Sequence, residues 1–239
     1  KSSFGKKDIM KRKQKQIWEQ EHLGSVSLPS LGKTHPAKGV VDFSNFLKKF
    51  NLSGKRIVDI GSGKGRNAIY LAAEGYEVYC IDYIQTALDH TKKLAKKMNL
   101  SSHVHIINAE IDKSWPFEDN FFDLAIDCFS SIDVETKKGR LRYRDELWRT
   151  LKPGGSALIM VVSVNDEMES KFLKESPGRE KNSVIWPNGK FQKNYNEREL
   201  RSFYVMFETL KLKEISKKAF KLGTAYTAKN YWMVLRKPL

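Results

Sequence analysis

The stretch "IVDIGSGKGRNAIYLAAEGYEVYCID" (residues 57–82) decides how the rest of the chain reads. With Arg56 ahead of it, its first residues form a short β-branched run, "RIVDI" (56–60), that stops at Gly61. Glycines recur at 63 and 65. "GRNAIYLAAEG" (65–75) then spaces apolar residues at 68, 69, 71 and 72, as one face of a helix requires, and closes on Gly75. "EVYCID" (77–82) is a second apolar run that ends on an acid. Strand, glycine turn, helix and strand make the repeating unit of a parallel sheet.

The alternation continues outward. "QTALDHTKKLAKKMN" (85–99) predicts an amphipathic helix with a lysine face, and "VHIIN" (104–108) and "FDLAIDCFS" (122–130) predict strands. "KGRLRYRDELWRTLKPGG" (138–155) predicts a helix ended by Pro153-Gly154-Gly155, followed by a buried strand, "SALIMVVS" (156–163). "NERELRSFYVMFETL" (196–210) predicts a helix, then "KEISKKAFK" (213–221) and "NYWMVLRK" (230–237) two closing strands. Ligands of such sheets bind beyond the C-terminal strand ends. That points to Gly61–Gly65, Asp82, Asn108–Ile111 and Cys128–Ser131.

Two regions break the pattern. Residues 1–39 form a lysine-rich arm, expected to be helical at first, ahead of a main domain over 40–239 that opens with an amphipathic helix, "VVDFSNFLKKF" (40–50). Residues 164–195 are polar and hold the turn signals Pro177-Gly178 and Pro187-Asn188-Gly189. An insertion of this length is expected to be a cap or lid over the site.

Composition sets outer bounds. The chain has 239 residues, 40% of them hydrophobic, enough for one good core. No apolar run approaches the ~20 residues that span a bilayer. The basic start lacks an apolar signal core, and Cys80 and Cys128 sit inside apolar runs without CxxC spacing, so free thiols and a cytoplasmic location are expected. His22, His35, His90, His103 and His105 are scattered, so no metal site is expected. The net charge of +15 lies mostly at the ends: residues 1–24 carry +4 and residues 190–239 carry +8. Two readings stand side by side, an attraction to RNA, acidic protein or lipid, and a solvated lysine-rich surface.

The glycine turn excludes two ligand classes. A phosphate loop needs GxxxxGK[ST]; Gly32-Lys33-Thr34 comes nearest, but Ser27 stands at the first glycine's place. A dinucleotide turn needs GxGxxG, and Arg66 stands at the sixth position. What remains is apolar-Asp-apolar followed by GxGxG. Here the chain resembles the class I S-adenosylmethionine-dependent methyltransferases, over roughly residues 40–239. "WPFEDNFFDLAID" (115–127), "LWRTLKPGGSALIM" (147–160) and "NYNERELRSFY" (194–204) resemble the segments leading to the family's fourth strand, its fifth strand and its last helix. "GRNAIYLAAEGYEV" is most similar to the tellurite-resistance and thiopurine type, which acts on small molecules.

The resemblance implies an α/β, Rossmann-like sheet of seven mostly parallel strands, helices on both faces and the last strand antiparallel. It implies S-adenosyl-L-methionine as cofactor. Gly61, Ser62, Gly63 and Gly65 would line its methionine and ribose, and Asp59 would receive its ammonium. Asp82 would hold the ribose hydroxyls. Tyr83 and Ile84, with Ala109, Glu110 and Ile111, would border the adenine, and Cys128 and Phe129 the sulfonium; ordinary core packing is the other reading of Cys128. Acceptor contacts are expected among Ser130, Ser131 and Asp133 after the fourth strand and Arg179, Trp186 and Tyr195 in the insertion. The activated cofactor makes orientation the main task, so no general base is assigned. "DCFSSID" (127–133) lacks the (D/N)PP(Y/F) of nucleic-acid amino-methyltransferases and the Pro-Cys of RNA 5-methylcytosine enzymes. The function expected is methyl transfer to a small molecule. The alternatives are an RNA or protein methyltransferase docking through the basic termini, and a non-catalytic cofactor-binding subunit.

Overall fold

The computed structural model describes residues 3–24, 29–52 and 54–239. Residues 1–2 and 25–28 of the arm, Ser27 among them, lie outside the described residues.

The sheet has seven strands: β1 (Arg56–Ile60), β2 (Glu77–Asp82), β3 (Val104–Asn108), β4 (Phe122–Cys128), β5 (Leu151–Val162), β8 (Glu208–Lys221) and β9 (Thr224–Arg236). Their spatial order is β3-β2-β1-β4-β5-β9-β8. β1 to β5 run parallel, and β9 is antiparallel to both its neighbours. The order reverses beside β1, where β2 lies on one side and β4 on the other, and such a switch point opens a crevice at the strand ends. α3 (Arg66–Ala73) and α4 (Gln85–Lys97) connect the first three strands, and α5 (Lys137–Thr150) leads into β5.

Two apolar clusters sandwich the sheet. Val40, Phe43 and Leu47 of α2 (Lys38–Lys49) join Leu71, Ile57 and Trp232 on one face. Tyr143 and Leu147 of α5 join Val58, Ile159 and Tyr204 on the other. Strands covered on both faces need continuous apolar runs, which is why "ALIMVV" contains no alternation.

Several boundaries differ from the sequence reading, and the helix expected over 196–210 stops at Phe203, with Glu208–Leu210 already in β8. α5 stops at Thr150, and Pro153 already belongs to β5; proline cannot donate to a helix, and Gly154 takes φ +76°. The closing strands are longer than their apolar cores and meet at Leu222-Gly223, both at positive φ, the turn that matches strand twist. Their lysine-rich ends show little hydrophobic alternation because β8 is an edge strand, where exposed charge deters further pairing. The insertion is structured: α6 (Glu167–Glu175), capped by Asp166, precedes the hairpin β6 (Ser183–Ile185) and β7 (Phe191–Lys193). α7 (Glu197–Phe203) follows, capped by Asn196.

Candidate cofactor and acceptor site

The turn after β1 is held by backbone. Gly61 and Ser62 donate to the Ile81 carbonyl (2.8 and 3.1 Å), and Gly65 donates to Ser62 (3.1 Å). Gly61 takes φ +66° and Gly65 φ +79°, which side chains rarely adopt. A Cβ on Gly61 would fall on the Ser130 side chain, and one on Gly65 on Thr91. Thr91 Oγ1 of α4 also donates to the Gly63 carbonyl (3.0 Å), tying the turn to the second βα unit.

Asp82, buried at the end of β2, accepts from Gly63 N through Oδ2 (2.8 Å) and from Ile84 N through Oδ1 (2.9 Å). Each oxygen keeps a second lone pair for a hydroxyl. Asp59 is buried one strand away, and its Oδ2 has no partner. Burial, then the charge of Asp82, raises its carboxyl to about 7. An unpartnered buried carboxylate oxygen beside a glycine turn fits a ligand ammonium, so the residues present suit the cofactor.

The turn after β4 faces this loop. Asp127 accepts from Ser130 N (2.8 Å), Ser131 N (3.2 Å) and the Tyr143 hydroxyl (2.8 Å). Ser130 Oγ then donates to the Gly61 carbonyl (3.2 Å). Phe129 bends the chain at φ +71°. Asp127 was not among the sequence-derived site residues; its signal is an acid inside the apolar run "LAIDC", which must be bonded to be tolerated. Cys128 lies against Met160 at 3.9 Å, and burial pushes its thiol well up, so it is not a thiolate.

The other residues singled out from sequence divide three ways. Tyr83 borders the loop side, with its hydroxyl raised by burial and by the charges of Asp82, Asp133, Glu135 and Glu110. Ala109 donates to the Asp82 carbonyl (3.0 Å), and Ile111 is buried in the core. Asp133 pairs with Lys190 (3.1 Å), and Trp186 is buried against the same lysine, at 3.9 Å from its ring centroid. Tyr195 sits in the main core, and Arg179 is exposed on the turn after α6.

α1 (Ser3–Gly24) meets the glycine turn, Tyr83, the Asp133 carbonyl and the insertion. His22 is 7% exposed, and its Cε1 would be 3.2 Å from a Cβ on Gly63. Lys15 stands 5.8 Å from the Tyr83 ring centroid. Gln14 bonds both the amide and carbonyl of Phe191 in β7. No periodic apolar stripe announces these contacts in the arm, because they are polar.

Among the described residues there is no group of three or more His, Cys, Asp or Glu placed to hold a metal, and no helix long and apolar enough to cross a membrane.

This strand order, the GxGxG turn and the acid ending β2 define a class: the S-adenosylmethionine-binding methyltransferase fold. Residues 57–155 match the family model described as a methyltransferase domain. The ubiquinone biosynthesis O-methyltransferase of Rickettsia akari (strain Hartford) is 29% identical over 114 residues, 47% of this chain and 42% of that protein. The tRNA 5-carboxymethoxyuridine methyltransferase of Escherichia coli (strain K12) is 23% identical over 124 residues, 52% of this chain and 46% of that protein. The chain thus spans under half the length of these curated relatives. The crystal structure of a SAM-dependent methyltransferase from Methanosarcina mazei superposes with a TM-score of 0.68, at 24% identity, over 77% of this chain and 92% of that one. Residues 57–155 are thus similar to a methyltransferase domain, the fold is that of the S-adenosylmethionine-dependent methyltransferases, and S-adenosyl-L-methionine is the cofactor this similarity supports.

Proposed function

We propose that this protein transfers a methyl group to a small-molecule acceptor. The observation that carries the reading is enclosure. α1 lies over the glycine turn, and its Gln14 is bonded into the insertion, so the site has a roof that a polymer would have to displace. When bound, S-adenosylmethionine supplies a methyl on a sulfonium already activated for in-line displacement. The protein's part is to hold and orient. Asp82 would take the ribose hydroxyls, Asp59 the ammonium, and Tyr83 with Ala109 and Glu110 the adenine. Gly61 and Ser130 would shape the methionine side. The turn that Asp127 fixes, with Ser131 and Asp133, would face the acceptor. Water exclusion by α1 strengthens each polar contact.

A second reading rests on exposed Lys211, Lys213, Lys217 and Lys218 along β8, a basic strip of the kind that docks RNA. One experiment separates the two. Purified protein is given radiolabelled S-adenosylmethionine with either a small-metabolite extract or total RNA, at low and high salt. The small-molecule reading expects label in the metabolite fraction, insensitive to salt. Label in RNA that falls steeply with salt refutes it.

A further inference from the structure

The insertion carries a row of buried polar side chains that the cofactor has no use for. Lys190, Gln192 and Asn194 occupy alternate positions on and beside β7, so they share one face. They are bonded in series. Lys190 Nζ donates to Asp133 Oδ1 (3.1 Å) and to Gln192 Oε1 (3.2 Å); Gln192 Nε2 donates to Asn194 Oδ1 (2.7 Å). The direction is forced, because an ammonium can only donate, and that fixes the orientation of both amides. The series therefore ends on Asn194 Nδ2, a donor with no partner in a side chain of 0% exposure.

A second donor is unmet at the other end of the row, where Trp186 pairs with Lys190 across the hairpin (Trp186 N to Lys190 O, 2.8 Å). Trp186 is 2% exposed, and its Nε1 has no partner. The ammonium groups of Lys190 and Lys221 lie 3.9 and 3.5 Å from its ring centroid. Glu169 Oε2 is also unpartnered, but it belongs to a carboxylate already paired with Lys221 (2.8 Å). Folded proteins seldom leave buried donors unmet, and each that remains calls for an account, a water, an ion or a functional role among them. The position suits an acceptor. Asp133 ends the turn that begins at Ser130 against Gly61, so the row starts at the rim of the cofactor site and runs into the insertion. Trp18 of α1 covers Lys190, 5.1 Å from ring centroid to ammonium.

What is unmet on this row is N–H, so its ligand must offer accepting oxygens, and a carboxylate offers the most and the strongest. We propose that Lys190, Gln192, Asn194 and Trp186 form the recognition site for the methyl acceptor, and that the acceptor is a small molecule bearing a carboxylate. This rests on the small-molecule methyltransferase reading and narrows it.

The test uses the full chain saturated with S-adenosylhomocysteine, whose own binding is measured first by calorimetry. A panel of small aromatic and aliphatic carboxylic acids, each beside its primary alcohol, is then screened by thermal shift and titration. Acids are expected to bind and their alcohols not. Asn194→Asp keeps the shape but turns the unmet donor into an oxygen, and Trp186→Phe keeps a ring but loses the N–H. Each should weaken acid binding about tenfold or more, with S-adenosylhomocysteine affinity unchanged. That unchanged affinity also shows that the variant is folded. The proposal is overturned if no acid binds, if alcohols bind equally well, or if both variants bind acids like the parent. Failure of S-adenosylhomocysteine to bind would instead sink the methyltransferase reading beneath it.

Discussion

A Cβ on Gly61 would coincide with the Ser130 side chain, so the turn after β1 and the turn after β4 touch at a point where only glycine fits. Ser130 Oγ also donates to the Gly61 carbonyl, which makes the contact both a steric limit and a bond. Gly61→Ala meets two penalties, the clash and a φ of +66°. It should lower stability by about 1–3 kcal/mol in urea denaturation. Adding Ser130→Gly should recover the steric part and leave the backbone part. Full additivity of the two changes would refute the contact.

Asp82 joins the loop to β2 through Gly63. Asp82→Ala removes the acceptor for two backbone amides and the proposed ribose anchor together. S-adenosylhomocysteine affinity should fall by roughly 100-fold in calorimetry, since hydrogen bonds to a charged group are worth about 1.5–3 kcal/mol each. Asp82→Asn should fall between the two, and an unchanged affinity would remove Asp82 from the cofactor site.

Asp59 sets a pH dependence of known sign. Its carboxyl is raised from 3.8 to about 7, chiefly by burial. Between those values the folded state keeps a proton that the unfolded state has lost, so this group's contribution to stability falls as pH rises and levels off above about 7. Asp59→Asn should therefore gain in melting temperature on the parent from pH 4 to 7 and hold that gain above it. Saturating S-adenosylhomocysteine should narrow the gap, because its ammonium would give the ionised Asp59 a partner. A gap that is constant with pH would contradict the shift.

Lys190 and Asp133 test the acceptor side. The pair is buried, and Asp133 stands at about 6 because burial outweighs the Lys190 charge. Lys190→Met leaves a buried acid alone and should cost about 3–5 kcal/mol. Lys190→Met with Asp133→Asn should recover most of that. Chemical denaturation of the two variants decides it.

How much of this the sequence made legible follows from what each residue does. The sheet was readable because strands covered on both faces must be near-continuous apolar runs; "ALIMVV" is one, and "IVDI" and "LAIDC" are interrupted only by Asp59 and Asp127. The glycine turn was readable because Gly61 and Gly65 take conformations that other residues avoid. The roof was not. Gln14, His22, Lys190, Gln192 and Asn194, with the half-buried Trp18, are polar or amphipathic groups covered by contacts between segments far apart in the chain, and no local periodicity reports such pairing. Trp186 was singled out as an aromatic in a polar insertion, whereas Tyr195, chosen on the same ground, fills the core. Composition could not separate them: both rings lie beside lysine ammonium groups, Tyr195 4.7 Å from Lys193 and Trp186 3.9 Å from Lys190, and Tyr195 alone of the two also joins the main core.

His22 gives the last prediction, and its sign is opposite to that of Asp59. Its imidazole is lowered from 6.5 to about 4, first by burial and then by the charge of Lys64, with His90 adding and Glu21 opposing. The contribution it makes is present above about 6.5 and is lost as pH falls toward about 4, because the undocked imidazole takes up a proton that the docked one refuses. Asp59 and Asp133, both raised, change in the other sense over that range. Acid should therefore weaken α1 on the glycine turn while the sheet beneath it holds. Limited proteolysis is expected to cut within α1 faster at pH 5 than at pH 7.5, with residues 54–239 protected at both. His22→Phe, which cannot be protonated, should abolish the difference. If it persists in that variant, His22 does not govern the docking of α1.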